Sequence, residues 1–448
     1  MRTQATLAAL SLLGLAFAPA TATAATLRLL PPHTDQAFDF AVGIAADGTV
    51  AGNTLDIWGS APALWPKAGD TYLPPLSPAL PSGALGGELR WLSADAAFIA
   101  GYAALPLTDA DEENHVPVLW VRSGGTASYA AAALPRLGVG ASQTLLTGGA
   151  SDASRLVGQS GPAPSAALWR GGPWTAYSVQ ALPLPPDAAG ASIATALSDD
   201  GTRAVGHCET RAGSQALLWT EGVGGYAVTT LAPLPGGARA FAEIVSRDGL
   251  LAAGAADDAS GLRPVVWDTR DGGATPLETP PGHEATVLAL SANNAWLGGR
   301  ATHAGSYESV AVLWDRSGKH RGLAALAVSA GIDLDGLVPE SVTGIRHVSD
   351  NLYAIVGTGL AKDGLTHAFV LENLALATPA TTPGDDDPEG GDPAPDTPDD
   401  PAHTGAPASS GGVFLKRHTR ADDTGKDTRG PTIDAERPLG RSSRKRPL

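Results

Sequence analysis

An apolar residue followed by tryptophan recurs along this chain, at Leu64-Trp65, Leu119-Trp120, Leu168-Trp169, Leu218-Trp219, Val266-Trp267 and Leu313-Trp314. Successive tryptophans lie 55, 49, 50, 48 and 47 residues apart. A seventh copy, His367-Ala368-Phe369-Val370-Leu371, puts Leu371 at the tryptophan position, 57 residues after Trp314. A period near 50 residues restricts the chain to a repeat architecture, in which each unit buries its apolar face against the next.

Two further landmarks keep the same period. Upstream of each Leu-Trp strand a polar turn leads into a small-residue strand ending at glycine, as in Ser198-Asp199-Asp200-Gly201 to Gly206 and Ser246-Arg247-Asp248-Gly249 to Gly254. The Asp-Gly, Asn-Asn and Asp-Asn pairs in these turns tolerate positive φ, so hairpins with type I′ turns are predicted. Downstream, a Gly-containing turn such as Gly171-Gly172 or Gly224-Gly225 leads into a fourth strand, for example Tyr226 to Leu231. Each unit therefore reads as four short antiparallel strands, here called a to d. Seven such units predict an all-β fold, a seven-bladed β-propeller of kelch-like blade length, over residues 25–376. The seventh unit lacks a d strand, and Ala25 to Pro31 has the Leu-Pro exit of one. Its insertion into the last blade would close the ring and remove two sheet edges. An open β-solenoid is the alternative.

Composition agrees with turn-dense β structure: 55 Gly and 36 Pro in 448 residues, with 5% aromatics, disfavour long helical bundles. The formal charge of −16 repels a phosphate backbone, which argues against nucleic-acid binding. Cys208 is the only cysteine, so neither an intramolecular disulfide nor a multi-thiolate metal site can form. Residues 1–24 read as a secretory signal, with Arg2, an apolar run from Leu7 to Ala18 and Ala22-Thr23-Ala24 before the cleavage point. Export to the periplasm, the cell surface or the medium is expected. No later apolar run is long enough for a membrane-spanning helix. Residues 377–448 are Pro- and Thr-rich and acidic around Asp385 to Asp400, then basic at Lys416-Arg417 and Arg444 to Arg446. That composition predicts a disordered tail.

The six repeat tryptophans, Trp65, Trp120, Trp169, Trp219, Trp267 and Trp314, with Leu371, are read as core packing between blades. Trp58, Trp91, Trp174 and Trp296 fall outside that position and are the candidate ligand contacts. Asp333-x-Asp335-Gly336 and Asp109-Ala110-Asp111-Glu112-Glu113 offer clustered carboxylates, so weak calcium binding is the one cofactor considered. Glu112, Glu113, Asn114 and His115 lie in a long b–c insertion of the second unit. No Gly-x-Gly-x-x-Gly, Walker or Gly-x-Ser-x-Gly motif and no metal-spaced histidine pair is present, and no catalytic residue is assigned.

The repeated Ser-x-Asp-Gly turns resemble the Asp-box hairpins of sialidase-like propellers, where Ser and Asp brace a turn. The whole series, ending in Thr366-His367-Ala368-Phe369-Val370, resembles the bacterial extracellular HAF repeat family across residues 26–375. The resemblance implies an exported, propeller-like, surface-associated protein of unassigned activity. The expected function is a monomeric, non-enzymatic scaffold presenting face loops to a protein or glycan partner at the cell surface. A carbohydrate-active or other hydrolytic propeller and a passenger segment of an autotransporter-like protein are the alternatives.

Overall fold

The computed structural model describes residues 24–377 apart from 35–36, 58, 107–112, 125–127, 139–142 and 173–174. Strand β1 (Thr26–Leu29) comes first in the chain and completes the last blade. Blade 1 holds β2 (Phe38–Ile44), β3 (Val50–Asp56) and β4 (Gly59–Trp65), followed by a small hairpin, β5 (Lys67–Ala68) and β6 (Thr71–Tyr72). Blade 2 comprises β7 (Gly86–Leu92), β8 (Phe98–Pro106), β9 (Glu113–Arg122) and β10 (Tyr129–Ala133). Blade 3 comprises β11 (Leu145–Gly149), β12 (Arg155–Ser160), β13 (Ser165–Arg170) and β14 (Ser178–Ala181). Blade 4 comprises β15 (Ala188–Leu197), β16 (Arg203–Thr210), β17 (Gly213–Gly222) and β18 (Gly225–Thr230). Blade 5 comprises β19 (Ala240–Val245), β20 (Leu251–Asp258), β21 (Gly261–Asp268) and β22 (Ala274–Pro276). Blade 6 comprises β23 (His283–Leu290), β24 (Trp296–His303), β25 (Ser309–Asp315) and β26 (His320–Gly322), after which α1 (Leu323–Ser329) is inserted. Blade 7 comprises β27 (Val338–Ser349), β28 (Leu352–Leu360) and β29 (Thr366–Ala375).

The a strands of consecutive blades touch one another around a complete circuit, with β27 meeting β2. The chain is therefore a closed seven-bladed β-propeller with its a strands innermost. β1 closes the ring as the sequence predicts, pairing antiparallel with β29 in the register Thr26↔Glu372 to Leu29↔Phe369.

Every a strand carries an extra residue at the same place relative to its b strand, namely Val42, Arg90, Thr147, Thr195, Glu243, Leu288 and Thr343, and β15 and β27 have further register shifts. This repeated β-bulge explains the glycine that ends each b-strand landmark. Just before the bulge, the a-strand carbonyl leans over the facing b-strand residue. A Cβ at Gly206 would sit inside contact distance of the Ile193 carbonyl oxygen, and Gly52, Gly101, Gly158, Gly254, Gly299 and Gly357 meet the equivalent carbonyl in their blades.

The six repeat tryptophans are buried, and each indole Nε1–H donates to a backbone carbonyl at the d-strand exit of the preceding blade. The acceptors are Pro31 for Trp65 (2.8 Å), Ala79 for Trp120 (2.8 Å), Pro135 for Trp169 (2.7 Å), Pro183 for Trp219 (2.6 Å), Ala232 for Trp267 (2.8 Å) and Glu278 for Trp314 (2.7 Å). One side chain thus fills the space between two sheets and satisfies a carbonyl beside the exit prolines. Leu371, at the same register position in β29, is buried as well.

Three local expectations are revised. The a–b turns place one residue, not two, at positive φ: Gly48 (88°), Ala96 (54°), Ala153 (55°), Gly201 (71°), Gly249 (73°) and Asn294 (54°). They are therefore not type I′; Asp or Asn side chains hold them instead, as described below. Blade 1 has a three-stranded sheet, because the stretch opposite β4 is Leu73-Pro74-Pro75-Leu76-Ser77-Pro78 and proline cannot donate to a ladder. Only Leu76 bridges, exchanging two backbone hydrogen bonds with Leu64 (2.9 and 2.7 Å). Finally, the Ala/Leu-rich run after Gly322 forms α1, which buries Leu323 and Ala327 one helical turn apart.

Candidate functional site

The two ends of the ring differ in chemistry. The a–b turns lie at one end, where Ser198 Oγ donates to Asp200 Oδ1 (2.7 Å) and accepts from Arg203 N (3.0 Å), while Thr202 N donates to Asp200 (2.9 Å). Ser93–Asp95, Ser246–Asp248 and Ser291–Asn293 repeat the brace. Burial opposes ionisation of Asp95, Asp200 and Asp248, but the serine hydroxyl and backbone N–H bonds together outweigh it and hold all three below the usual carboxylate range. A carboxylate tied to its own turn, and repeated around the ring, is a structural device.

The b–c loops lie at the other end. Here Ile57 (83% exposed), Tyr307 (80%) and Leu85 (66%) project with Phe40, Leu55, Val310, Val338 and Leu360. All eight belong to blades 6, 7, 1 and 2, which are consecutive around the ring. The same end of blades 4 and 5 is charged, with Arg239–Asp257 (3.0 Å), Arg263–Asp258 (3.3 Å) and the exposed Arg211. One end of the ring thus carries an apolar arc beside a charged one.

The inner wall carries the bulged residues. Glu243 is pushed toward its neutral form by burial, with Arg300 on β24 pulling the other way; Arg300 is in turn lowered by burial. Glu88 and Arg90 pair on β7 at 2.7 Å. His207 on β16 packs edge-on to Phe241 (5.3 Å between centroids), and burial lowers it to about 4, so it is neutral at physiological pH.

The remaining sequence candidates fall as follows. Trp296, expected to contact ligand, is fully buried on β24 with the Arg321 guanidinium over its ring (5.6 Å), so it offers no surface to a ligand. Trp91 on β7 is half-buried against the cluster that contains Leu146 and Trp169. Trp58 and Trp174 lie outside the described residues, as do Asp109, Ala110, Asp111 and Glu112. Glu113 opens β9, Asn114 accepts from Arg136 Nη1, and His115 stacks on Tyr102 (4.1 Å). Asp335 pairs with Lys362 (2.9 Å), and Asp333 accepts its backbone N–H (2.9 Å), so the two carboxylates do not converge. Both line an open groove of about 480 Å³ with Thr26, Leu27, Leu29 and Ile332. Among the described residues no group of three His, Cys, Asp or Glu side chains is placed to hold a metal ion. No helix among them is long and apolar enough to cross a membrane.

Sequence reasoning missed the polar groups at the ring closure. Glu372 on β29 is buried and accepts from Lys67 Nζ (2.6 Å) and the Tyr72 hydroxyl (3.2 Å) of the small hairpin in blade 1. Asp39 on β2 is fully buried opposite His367 on β29. A lone Asp and Glu in strand patterns were the only signals available.

No protein-family profile and no curated protein matches the chain. Solved propellers resemble it in shape. The β-propeller domain of the trilobed protease from Pyrococcus furiosus is 10% identical with a TM-score of 0.46, covering 75% of this chain and 95% of that one. Prolyl oligopeptidase B from Galerina marginata is 10% identical (TM-score 0.45; 77% and 52% covered), and TolB from Acinetobacter baumannii is 14% identical (TM-score 0.36; 73% and 80% covered). At these values nothing is carried across to this chain.

Proposed function

We propose that this chain is an exported, surface-associated repeat protein of the HAF type that acts as a non-enzymatic scaffold, holding a protein or glycan partner against the b–c end of its ring. The observation that carries this reading is the apolar arc over blades 6, 7, 1 and 2, at the end of the ring opposite the Ser–Asp braced a–b turns. Large exposed apolar side chains beside charged loops favour a protein partner, with Tyr307 and Ile57 as the contacts of greatest free area.

The test is capture of envelope proteins and glycans by the purified chain and by an Ile57→Asp/Tyr307→Asp/Val338→Asp variant. Val223→Asp/Leu250→Asp, at the opposite end, is the matched control. We expect at least tenfold less capture by the b–c variant and an unchanged level for the control. Equal capture by all three would remove the b–c end from the account. The hydrolytic alternative rests on Glu243, a carboxylate held toward its neutral form as a general acid requires. Glycoside or ester turnover abolished by Glu243→Gln would favour it.

A further inference from the structure

The seam that closes the ring contains a carboxylate with no place in the scaffold reading. Asp39 is 0% exposed, and neither of its oxygens has a hydrogen-bond partner. The nearest polar groups are the Thr54 hydroxyl on the facing strand and the His33 backbone. They favour its ionised form without reaching hydrogen-bond geometry. Across the seam, His367 Nδ1 stands 3.9 Å from Asp39 Oδ2, and its Nε2 is 2.9 Å from Oδ2 of Asp363, which is half-exposed on the b–c loop of blade 7. One imidazole thus links a buried carboxylate of blade 1 to a solvent-facing carboxylate of blade 7. It does so from β29, the strand that receives β1.

We propose that Asp39, His367 and Asp363 form a proton-operated clasp on the closing seam, tight when the group holds its protons and loosened when Asp39 stands ionised. An ionised carboxylate in this position is left without a hydrogen bond, and the imidazoles that favour it are those of His367, already engaged by Asp363, and of His33. Burial accordingly raises Asp39 to about 6 from an ordinary value of 3.8. A group raised on folding binds more protons in the folded chain. Its stabilisation is complete below about 3.8 and is lost as pH rises through about 6. The other charged groups on elements packed against β2 are Asp56 on β3, Glu88 and Arg90 on β7, Glu340, Arg346 and His347 on β27, and Glu372 on β29. Glu88 and Arg90 pair with each other, Glu372 with Lys67, and Arg346 donates to the Ala46 carbonyl (3.1 Å). Glu340 is also raised by burial, so the variant at Asp39 is needed to separate the two.

Hydrogen exchange of the full chain between pH 5 and pH 7.5, corrected for intrinsic exchange, tests the clasp. We expect protection of the β1 amides to fall at least tenfold over this range while those of β18, an outer strand in blade 4, hold steady. In Asp39→Asn the fall at β1 should disappear. An equal change in both strands, or an unaltered fall in Asp39→Asn, would overturn the proposal. Should that variant fail to fold, Glu340→Gln takes its place: the fall at β1 should persist in it, and its disappearance would overturn the proposal.

Discussion

The seam between blades 3 and 4 and the seam between blades 7 and 1 share one plan and differ in where they keep their charges. Both use an indole donated to a proline carbonyl, Trp219 to Pro183 and Trp65 to Pro31, and both pack Ala, Leu and Val around it. At the interior seam the carboxylate is Glu221, at the rim, gripped by Arg155 and Arg170 at 2.9 Å each. At the closing seam the carboxylates are Glu372 and Asp39, and both are inside. Interior seams join sequence neighbours, which the chain brings together by connection alone. The closing seam must select β29 from several c strands of similar apolar pattern, and a buried Glu372 that only Lys67 and Tyr72 satisfy makes the wrong choices costly.

Mutations sharpen that contrast. The largest effect is expected from tryptophan. Trp219→Ala should destabilise by about 3–5 kcal/mol, from the cavity and the lost indole bond. Trp65→Ala should cost more, since its acceptor Pro31 also anchors β1. Equal melting-curve shifts for the two would mean that closure is simply a seventh interior seam. Next, Lys67→Met leaves Glu372 with Tyr72 as its remaining partner and should cost about 2 kcal/mol, discounted from the fully buried case because Lys67 is partly exposed. Denaturant midpoints measure the loss, and an unchanged midpoint would mean that the Lys67–Glu372 pair does not hold the closing seam. The smallest effect is expected from Ser198→Ala, about 1 kcal/mol, for the unmade bond to the Arg203 amide. A change above 3 kcal/mol there would give the turn braces a larger share of ring stability than the seams.

What the sequence discloses of this fold is what repeats. Trp65 to Trp314, the b-strand glycines and the Ser-x-Asp turns are legible because one physical demand, packing or a close carbonyl, recurs in blade after blade. The closure was readable for the same reason, since Leu29 to Pro31 copies the exit of a d strand. Contacts made once leave no such trace. Trp296 looked free because it breaks the tryptophan period, yet the b strand carries it into the core beneath Arg321. Asp39 and Glu372 read as ordinary strand residues, because the partners that face them across the seam lie 300 or more positions away in the chain. The apolar b–c arc belongs to the same class, being assembled from loops that share an end of the ring and no sequence pattern.

The placement of β1 also sets an order of events. The ribosome makes this strand first, but its partner β29 is among the last parts of the ring to be synthesised. β1 therefore has no partner until β29 exists, and a chain interrupted before β29 would carry an open seam at both ends of its array. Completion of the ring reports that the whole repeat series has been made, so any factor that recognises an unpaired β1 would distinguish finished molecules from unfinished ones.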